Sequence, residues 1–245
     1  GRLPVSFDHG QGVWLWDKEG HKYLDALAGI AVNSVGHAHP RLVRAIADQA
    51  SKLIHCSNYF NIDLQEKVAE KLVEHSGLEA VFFCNSGLEA NECAIKIARK
   101  FGHAKGIEVP NIIVLKHAFH GRSIATLSAT GNPSVREDFS PYTEGFIFVD
   151  ESDLDGIRKI VEENKNVVAI FFEPILGEGG VVPIDLSVIK GIREICDEHD
   201  LLMMCDEVQC GMGRSGKWFA HQWAEIKPDV ITMAKGLAGG VPVGA

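Results

Sequence analysis

The chain has 245 residues, 46% of them hydrophobic and 23% charged, with a formal net charge of -9. That length and balance support a sizeable core in one large domain, or one and a part, and the acidic total leaves no basic stripe to neutralise a nucleic-acid backbone. No apolar stretch approaches the roughly 18–20 residues that span a bilayer, and the opening "GRLPVSFDHG" has no hydrophobic signal core, so a soluble, cytoplasmic protein with no membrane or nucleic-acid partner is expected.

The first element predicted is a small antiparallel one. "GVWLWDKEGHKYLDAL" alternates large apolar with polar residues around Glu19-Gly20, a hairpin signal. After "GHAHP", apolar residues at spacings of three and four predict amphipathic helices over 41–54 and 63–75, the second carrying Leu64, Val68 and Leu72. From about residue 80, short and nearly all-apolar runs alternate with amphipathic stretches. The runs are "AVFFC", "NIIVL", "GFIFV", "VVAIFF", "LLMMC" and "DVITM"; the helices lie over 88–101, 152–163 and 187–199. Strands buried on both faces read this way, so the fold class is α/β with a mostly parallel sheet between helices.

Ligands of open α/β sheets bind beyond the carboxyl ends of the strands, so chemistry is sought just after each run. Asn85-Ser86-Gly87 follows "AVFFC", "KHAFHGR" follows "NIIVL", Glu173 and then "GEGG" follow "VVAIFF", Asp206-Glu207 follows "LLMMC", and Lys235 follows "DVITM". Ser86 with Glu89 reads as a helix capping box, or as a phosphate cradle whose free N–H groups lie at the positive end of a helix; both use the same donors. Singly, Asp206 reads as a loop acid and Lys235 as a solvated strand end. An acid and an amine at one sheet edge beside a phosphate cradle are what a pyridoxal phosphate site requires, lysine for the covalent link and carboxylate for the ring nitrogen.

Other signals are weaker. "GMGRSG", Gly211 to Gly216, matches the dinucleotide fingerprint but is not followed by a suitable helix or acid. His37 and His39 stand close, yet Pro40 points to a turn and no third ligand has a recognisable spacing, so no metal is expected. No G-x-S-x-G elbow is present for a serine nucleophile. Cys56, Cys84, Cys93, Cys196, Cys205 and Cys210 mostly sit in apolar segments without paired metal spacing, as reduced core residues do.

The segments "GIAVNSVGHAHP", "NSGLEANE", "FHGRS", "FEPILGEGG", "DEVQCGMGRSG" and "MAKGLAGGVPVGA" resemble the class III (subgroup II) pyridoxal-phosphate aminotransferases, in family order across nearly the whole chain, and within them the branch acting on acetylornithine. The resemblance implies an aspartate-aminotransferase-like large domain of PLP fold type I over 51–245, with residues 1–50 as part of a small domain. It implies that Ser86, Gly87 and Leu88 form the phosphate turn, that Phe119 and Val208 pack on the two ring faces, and that Asp206 holds the ring nitrogen protonated. Gln209 would approach the ring hydroxyl and Lys235 would carry the cofactor. Arg122 would bind the substrate carboxylate, by its bidentate fork or else serve in a structural ion pair, and Glu178 would be the charge switch between the amino donor and 2-oxoglutarate.

The implied reaction is transamination of acetylornithine, with succinyl-diaminopimelate as a further donor, in a cytosolic homodimer. Ornithine or 4-aminobutyrate is the alternative donor, and Ile30, where ornithine-specific relatives tend to carry tyrosine, leans away from free ornithine. A catalytically silent dimerising relative is the alternative from another class. Leu88 stands where the family usually has alanine, and Ser123, Cys210 and Ser215 replace common threonines. Family members continue past the lysine to a threonine serving the partner subunit's cofactor and to a C-terminal small domain, so a chain ending at Ala245 is expected to be a fragment with weak cofactor binding of its own.

Overall fold

The computed structural model describes residues 2–245. The first fifty residues form an antiparallel sheet of β1 (Phe7–Gln11), β2 (Trp14–Asp17) and β3 (Lys22–Leu24), a single turn α1 (Ala28–Ala31), and the helix α2 (Pro40–Ala50). The predicted turn at Glu19-Gly20 joins β2 to β3. It is held by Asp17, whose carboxylate accepts from the N–H groups of Glu19 and His21 and from the Tyr23 hydroxyl.

The helix expected to reach Ile54 ends at Ala50. There the Ser51 hydroxyl donates to Asp48 O at 2.8 Å, and Lys52 N donates to Gln49 O in a tighter turn. A local hydroxyl competing for helical carbonyls ends the repeat before the apolar periodicity does. The helices α3 (Asp63–Ser76) and α4 (Gly87–Ala104) follow, close to the predicted spans.

The rest alternates strand and helix: β4 (Asn111–Leu115), α5 (Ile124–Ala129), α6 (Pro133–Arg136), β5 (Phe146–Val149), α7 (Leu154–Glu163) and β6 (Val167–Phe172). Next come a short antiparallel pair, β7 (Ile175–Leu176) and β8 (Val182–Pro183), then α8 (Leu186–His199), β9 (Leu202–Asp206) and β10 (Val230–Thr232). The main sheet has the order β10-β9-β6-β4-β5 and every pairing in it is parallel.

Because strand side chains alternate between faces, each apolar run supplies two cores. Ile113, Leu115, Ile170, Phe172, Met203 and Cys205 pack with α7 and α8. Their neighbours Ile112, Val114, Ala169, Phe171 and Met204 pack with Ala94, Ile95 and Ala98 of α4 and Ala129 of α5.

One predicted strand is corrected. "AVFFC" is extended but joins no sheet ladder; Cys84 makes a single antiparallel bridge to Gly244, and Met233 exchanges hydrogen bonds with Ala245. The run borders β10 only through residues 243–245, and one bridged pair does not make a strand, whatever its hydrophobicity. Among the described residues no helix is long and apolar enough to cross a membrane.

Chain order places the site. After β5, on one side of β4, the chain crosses to β6 on the other side, so the loops following β4 and β6 diverge at a switch point where a crevice opens.

Candidate active site

The carboxyl ends of β4, β6, β9 and β10 and the start of α4 meet at one cavity of about 490 Å³. Ser86, Gly87 and Leu88 line it from the head of α4, Phe119 and Arg122 from the loop after β4, Asp206, Val208 and Gln209 from the end of β9, and Lys235 from beyond β10. Glu178 is not among the lining residues. It is exposed between β7 and β8, near enough for its charge to act on Lys235.

At the head of α4, Ser86 caps the helix: its Oγ accepts from Glu89 N at 3.2 Å. The Glu89 carboxylate returns to Asn85 N at 2.5 Å rather than to the Ser86 N–H, touching Ser86 only through its hydroxyl at 3.5 Å, so the predicted box closes one residue early. The N–H groups of Gly87 and Leu88, in the first turn, have no acceptor within the helix and carry the positive end of its dipole. Gly87 permits this turn to touch the β9 loop, because a Cβ there would lie 2.7 Å from Val208 Cγ1. Leu88 has room beside Gly121, where an added Cβ would stand 3.5 Å from its Cγ.

Asp206 is 3% exposed. Its Oδ2 accepts from Asn91 Nδ2 at 2.7 Å and pairs with His120 Nδ1 at 2.8 Å, while its Oδ1 accepts from Val208 N at 3.0 Å. A carboxylate acceptor puts the His120 proton on Nδ1. The imidazole is stacked on Phe171 with centroids 4.1 Å apart, and Asn91 Nδ2 also donates to His120 O at 2.7 Å. Asn91 and His120 therefore aim Asp206, and neither was singled out from the sequence. The signal for Asn91 was a lone amide on the apolar face of α4, between Leu88 and Ile95; "KHAFHGR" held three chemically capable residues with nothing to rank them.

Glu173, after β6, is buried at 4% exposure, and its carboxylate accepts from Phe119 N at 2.8 Å and Gly177 N at 3.1 Å. Burial, and next the Asp206 charge, push its pKa up to about 7. Lys235 is partly buried, with its pKa lowered by desolvation against the opposing pull of Asp206, Glu178 and Glu173. Its backbone sits at φ 44°, a left-handed conformation that a non-glycine residue keeps only when its surroundings enforce it. Gln209 lies against Gly177, where a Cβ would stand 2.2 Å from Gln209 Oε1. The Arg122 loop is anchored by Ser123, which caps α5 and whose hydroxyl also bonds the Glu92 carboxylate.

This set fits a phosphate-tailed pyridine ring: unbonded N–H groups for the phosphate, an aromatic and a branched apolar wall, a fixed carboxylate for the ring nitrogen, and a desolvated amine. The other motifs fit less. Gly211–Gly216 is a run of turns leading to the 3-10 turn Ala220–Ala224, not a dinucleotide helix. His37 Nε2 pairs with Asp25 Oδ2 at 2.6 Å, and among the described residues no group of three His, Cys, Asp or Glu is placed to hold a metal ion. A second cavity of about 550 Å³ is walled chiefly by apolar side chains such as Leu72, Val81 and Ile97. Its Asp229 is already paired with Arg193 at 2.8 Å.

Residues 1–245 match the sequence family described as Aminotransferase class-III. An acetylornithine aminotransferase of Nitrosomonas europaea is 54% identical over 244 residues, covering 100% of this chain and 62% of the relative. One from Synechocystis sp. is 50% identical over 251 residues, covering 100% of this chain and 58% of the relative. A solved ornithine aminotransferase of Toxoplasma gondii, described with partial occupancy of PLP at its active site, superposes with a TM-score of 0.94 at 34% identity, covering 100% of this chain and 58% of that one. An N-acetylornithine aminotransferase of Stenotrophomonas maltophilia gives 0.86 at 40% identity, covering 99% and 61%. The chain thus spans about three fifths of the length of the curated relatives it matches.

Proposed function

The chain belongs to the class-III aminotransferases, and on that premise we propose that it is the cofactor-holding part of a pyridoxal-phosphate enzyme that transaminates acetylornithine with 2-oxoglutarate. The observation that carries this reading is the single cavity shared by Lys235, Asp206 and the unbonded N–H groups at the head of α4.

In this reading the N–H groups of Gly87 and Leu88, with the Ser86 hydroxyl, bind the phosphate. Phe119 and Val208 hold the ring between them, and Gln209 approaches its hydroxyl. Asp206, aimed by Asn91 and His120, keeps the ring nitrogen protonated. Bound pyridoxal phosphate supplies an electron sink that makes the C–H beside the donor nitrogen acidic. Lys235 Nζ, more easily held neutral for being desolvated, takes that proton. Arg122 binds the donor carboxylate through its planar fork, and Glu178 reports on which substrate is present by its charge.

The same reading assigns residues 1–50 to a small domain and 51–245 to the cofactor-binding large domain. A second copy is the proposed partner, because Ile54, Tyr59 and Phe60 are 86%, 94% and 68% exposed and such clustered apolar side chains favour being covered. A cytoplasmic location accords with six unpaired cysteines. The test is the visible absorbance of the purified intact protein with pyridoxal phosphate, before and after acetylornithine. A lysine-held cofactor band that acetylornithine discharges is expected. No band, or a band that responds to ornithine or 4-aminobutyrate but not to acetylornithine, refutes the proposal in its first or second half.

A further inference from the structure

We propose that Glu173 is a positioning residue that staples the loop after β4 to the turn after β6, across the switch point of the sheet, and so sets the spacing between Arg122 and Glu178. The inference rests on the reading of those two residues as substrate-facing groups.

Among the described residues the Glu173 carboxylate has two hydrogen-bond partners, both backbone N–H groups, one from each side of the crevice. Phe119 stands three residues before Arg122, and Gly177 immediately precedes Glu178 and lies against Gln209. Among the described residues no cationic side chain is bonded to Glu173, so its burial at 4% exposure is offset by those two donors and by longer-range charge. An apolar side chain of the same size would leave two N–H groups unpaired, those of Phe119 and Gly177. Glutamine would also fail at one of them, since one of its two terminal groups is a donor and would meet an N–H. Only a carboxylate accepts at both ends.

The charged and titratable groups facing Glu173 are Asp206 from the end of β9, His120 from the loop after β4, and Lys235 from beyond β10. Ionisation strengthens both of the Glu173 hydrogen bonds, but burial and the Asp206 charge penalise the ionised form by more, which is why the pKa is raised to about 7. The staple therefore holds more firmly on the acid side and opens more readily as pH rises through neutrality.

Site-resolved amide hydrogen exchange on the intact protein without cofactor tests the staple apart from catalysis. Protection at Phe119 and Gly177, corrected for the intrinsic pH dependence of exchange, should fall about tenfold for each pH unit on approaching neutrality from the acid side, because the opened carboxyl ionises near its ordinary value while the closed one holds its proton. In Glu173→Gln it should stay low and flat. In that variant KM for the amino donor should rise about tenfold with kcat within about threefold, the pattern of lost binding that is common to ground and transition states. Wild-type protection that is flat with pH, or protection and KM unchanged in Glu173→Gln, overturns the proposal. The wild-type series needs no variant, so a misfolded substitution does not shield it. The pH-dependent protection with an unchanged KM would support the staple and overturn the roles given to Arg122 and Glu178.

Discussion

Thr232 on β10 is the parallel register partner of Asp206 on β9, and Glu207 N donates to Thr232 O at 2.9 Å just beyond that pair. This pairing carries the chain that follows β10 over the same strand end that presents Asp206. Lys235, three residues on, opens into the cavity that Asp206 floors. An amine and an acid separated by 29 positions in sequence are thus brought together by one rung of a parallel ladder.

Replacing Lys235 by alanine should abolish the visible absorbance of covalently held cofactor and lower turnover by about 10²–10⁴-fold, the usual span for a positioned acid or base. The fold should not suffer, since the substitution removes a partly desolvated amine. Absorption spectra and single-turnover rates check this; a variant that keeps both band and rate removes Lys235 from the mechanism.

The Asp206→Ala substitution should destabilise the cofactor-free protein by about 2–4 kcal/mol, because the buried donors on Asn91 and His120 both lose their acceptor. Urea unfolding measures it. An unchanged midpoint would mean that the buried network is not as tight as its 2.7 and 2.8 Å distances indicate.

At Gly87 an added Cβ meets both methyl groups of Val208, at 2.7 and 2.9 Å. A branched side chain packed in the β9 loop cannot swing away as a long one does. Gly87→Ala should therefore cost about 1–3 kcal/mol and weaken cofactor binding. At Gly177 the obstructing atom is the end of the flexible Gln209 side chain, so Gly177→Ala should leave stability nearly unchanged while displacing Gln209. Thermal unfolding paired with cofactor titration separates the two outcomes.

Glu173 has its folded pKa raised to about 7 from 4.5, so its contribution to stability is fullest below the lower value and is lost as pH rises through the upper one. The stability deficit of Glu173→Gln relative to wild type should accordingly be larger in mildly acid than in mildly alkaline buffer. Denaturant unfolding on both sides of neutrality checks the sign, and a deficit that grows with pH contradicts it.

Much of this was legible in the chain. The runs "NIIVL", "VVAIFF" and "LLMMC" were readable as two-faced buried strands because such strands need apolar residues at every position, and the polar residue ending each run marked the working edge of the sheet. The motifs around Ser86, Asp206 and Lys235 suggested the chemistry proposed above, since few residue types can hold a phosphate, keep a ring nitrogen protonated and bond a carbonyl carbon. Hydrophobicity failed at "AVFFC", where a strand requires a neighbour as well as a composition.

What the sequence alone determined was which residues face a core and which stand at strand ends, because both follow from periodicities of two and 3.6 within a short window. Tertiary structure decided who meets whom. That Asn91 and His120 converge on Asp206, and that Glu173 bridges Phe119 and Gly177, depends on the order β10-β9-β6-β4-β5, in which neighbours in space are not neighbours in the chain. Hydrogen bonds act over about 3 Å, and no local pattern encodes a distance that strand order sets.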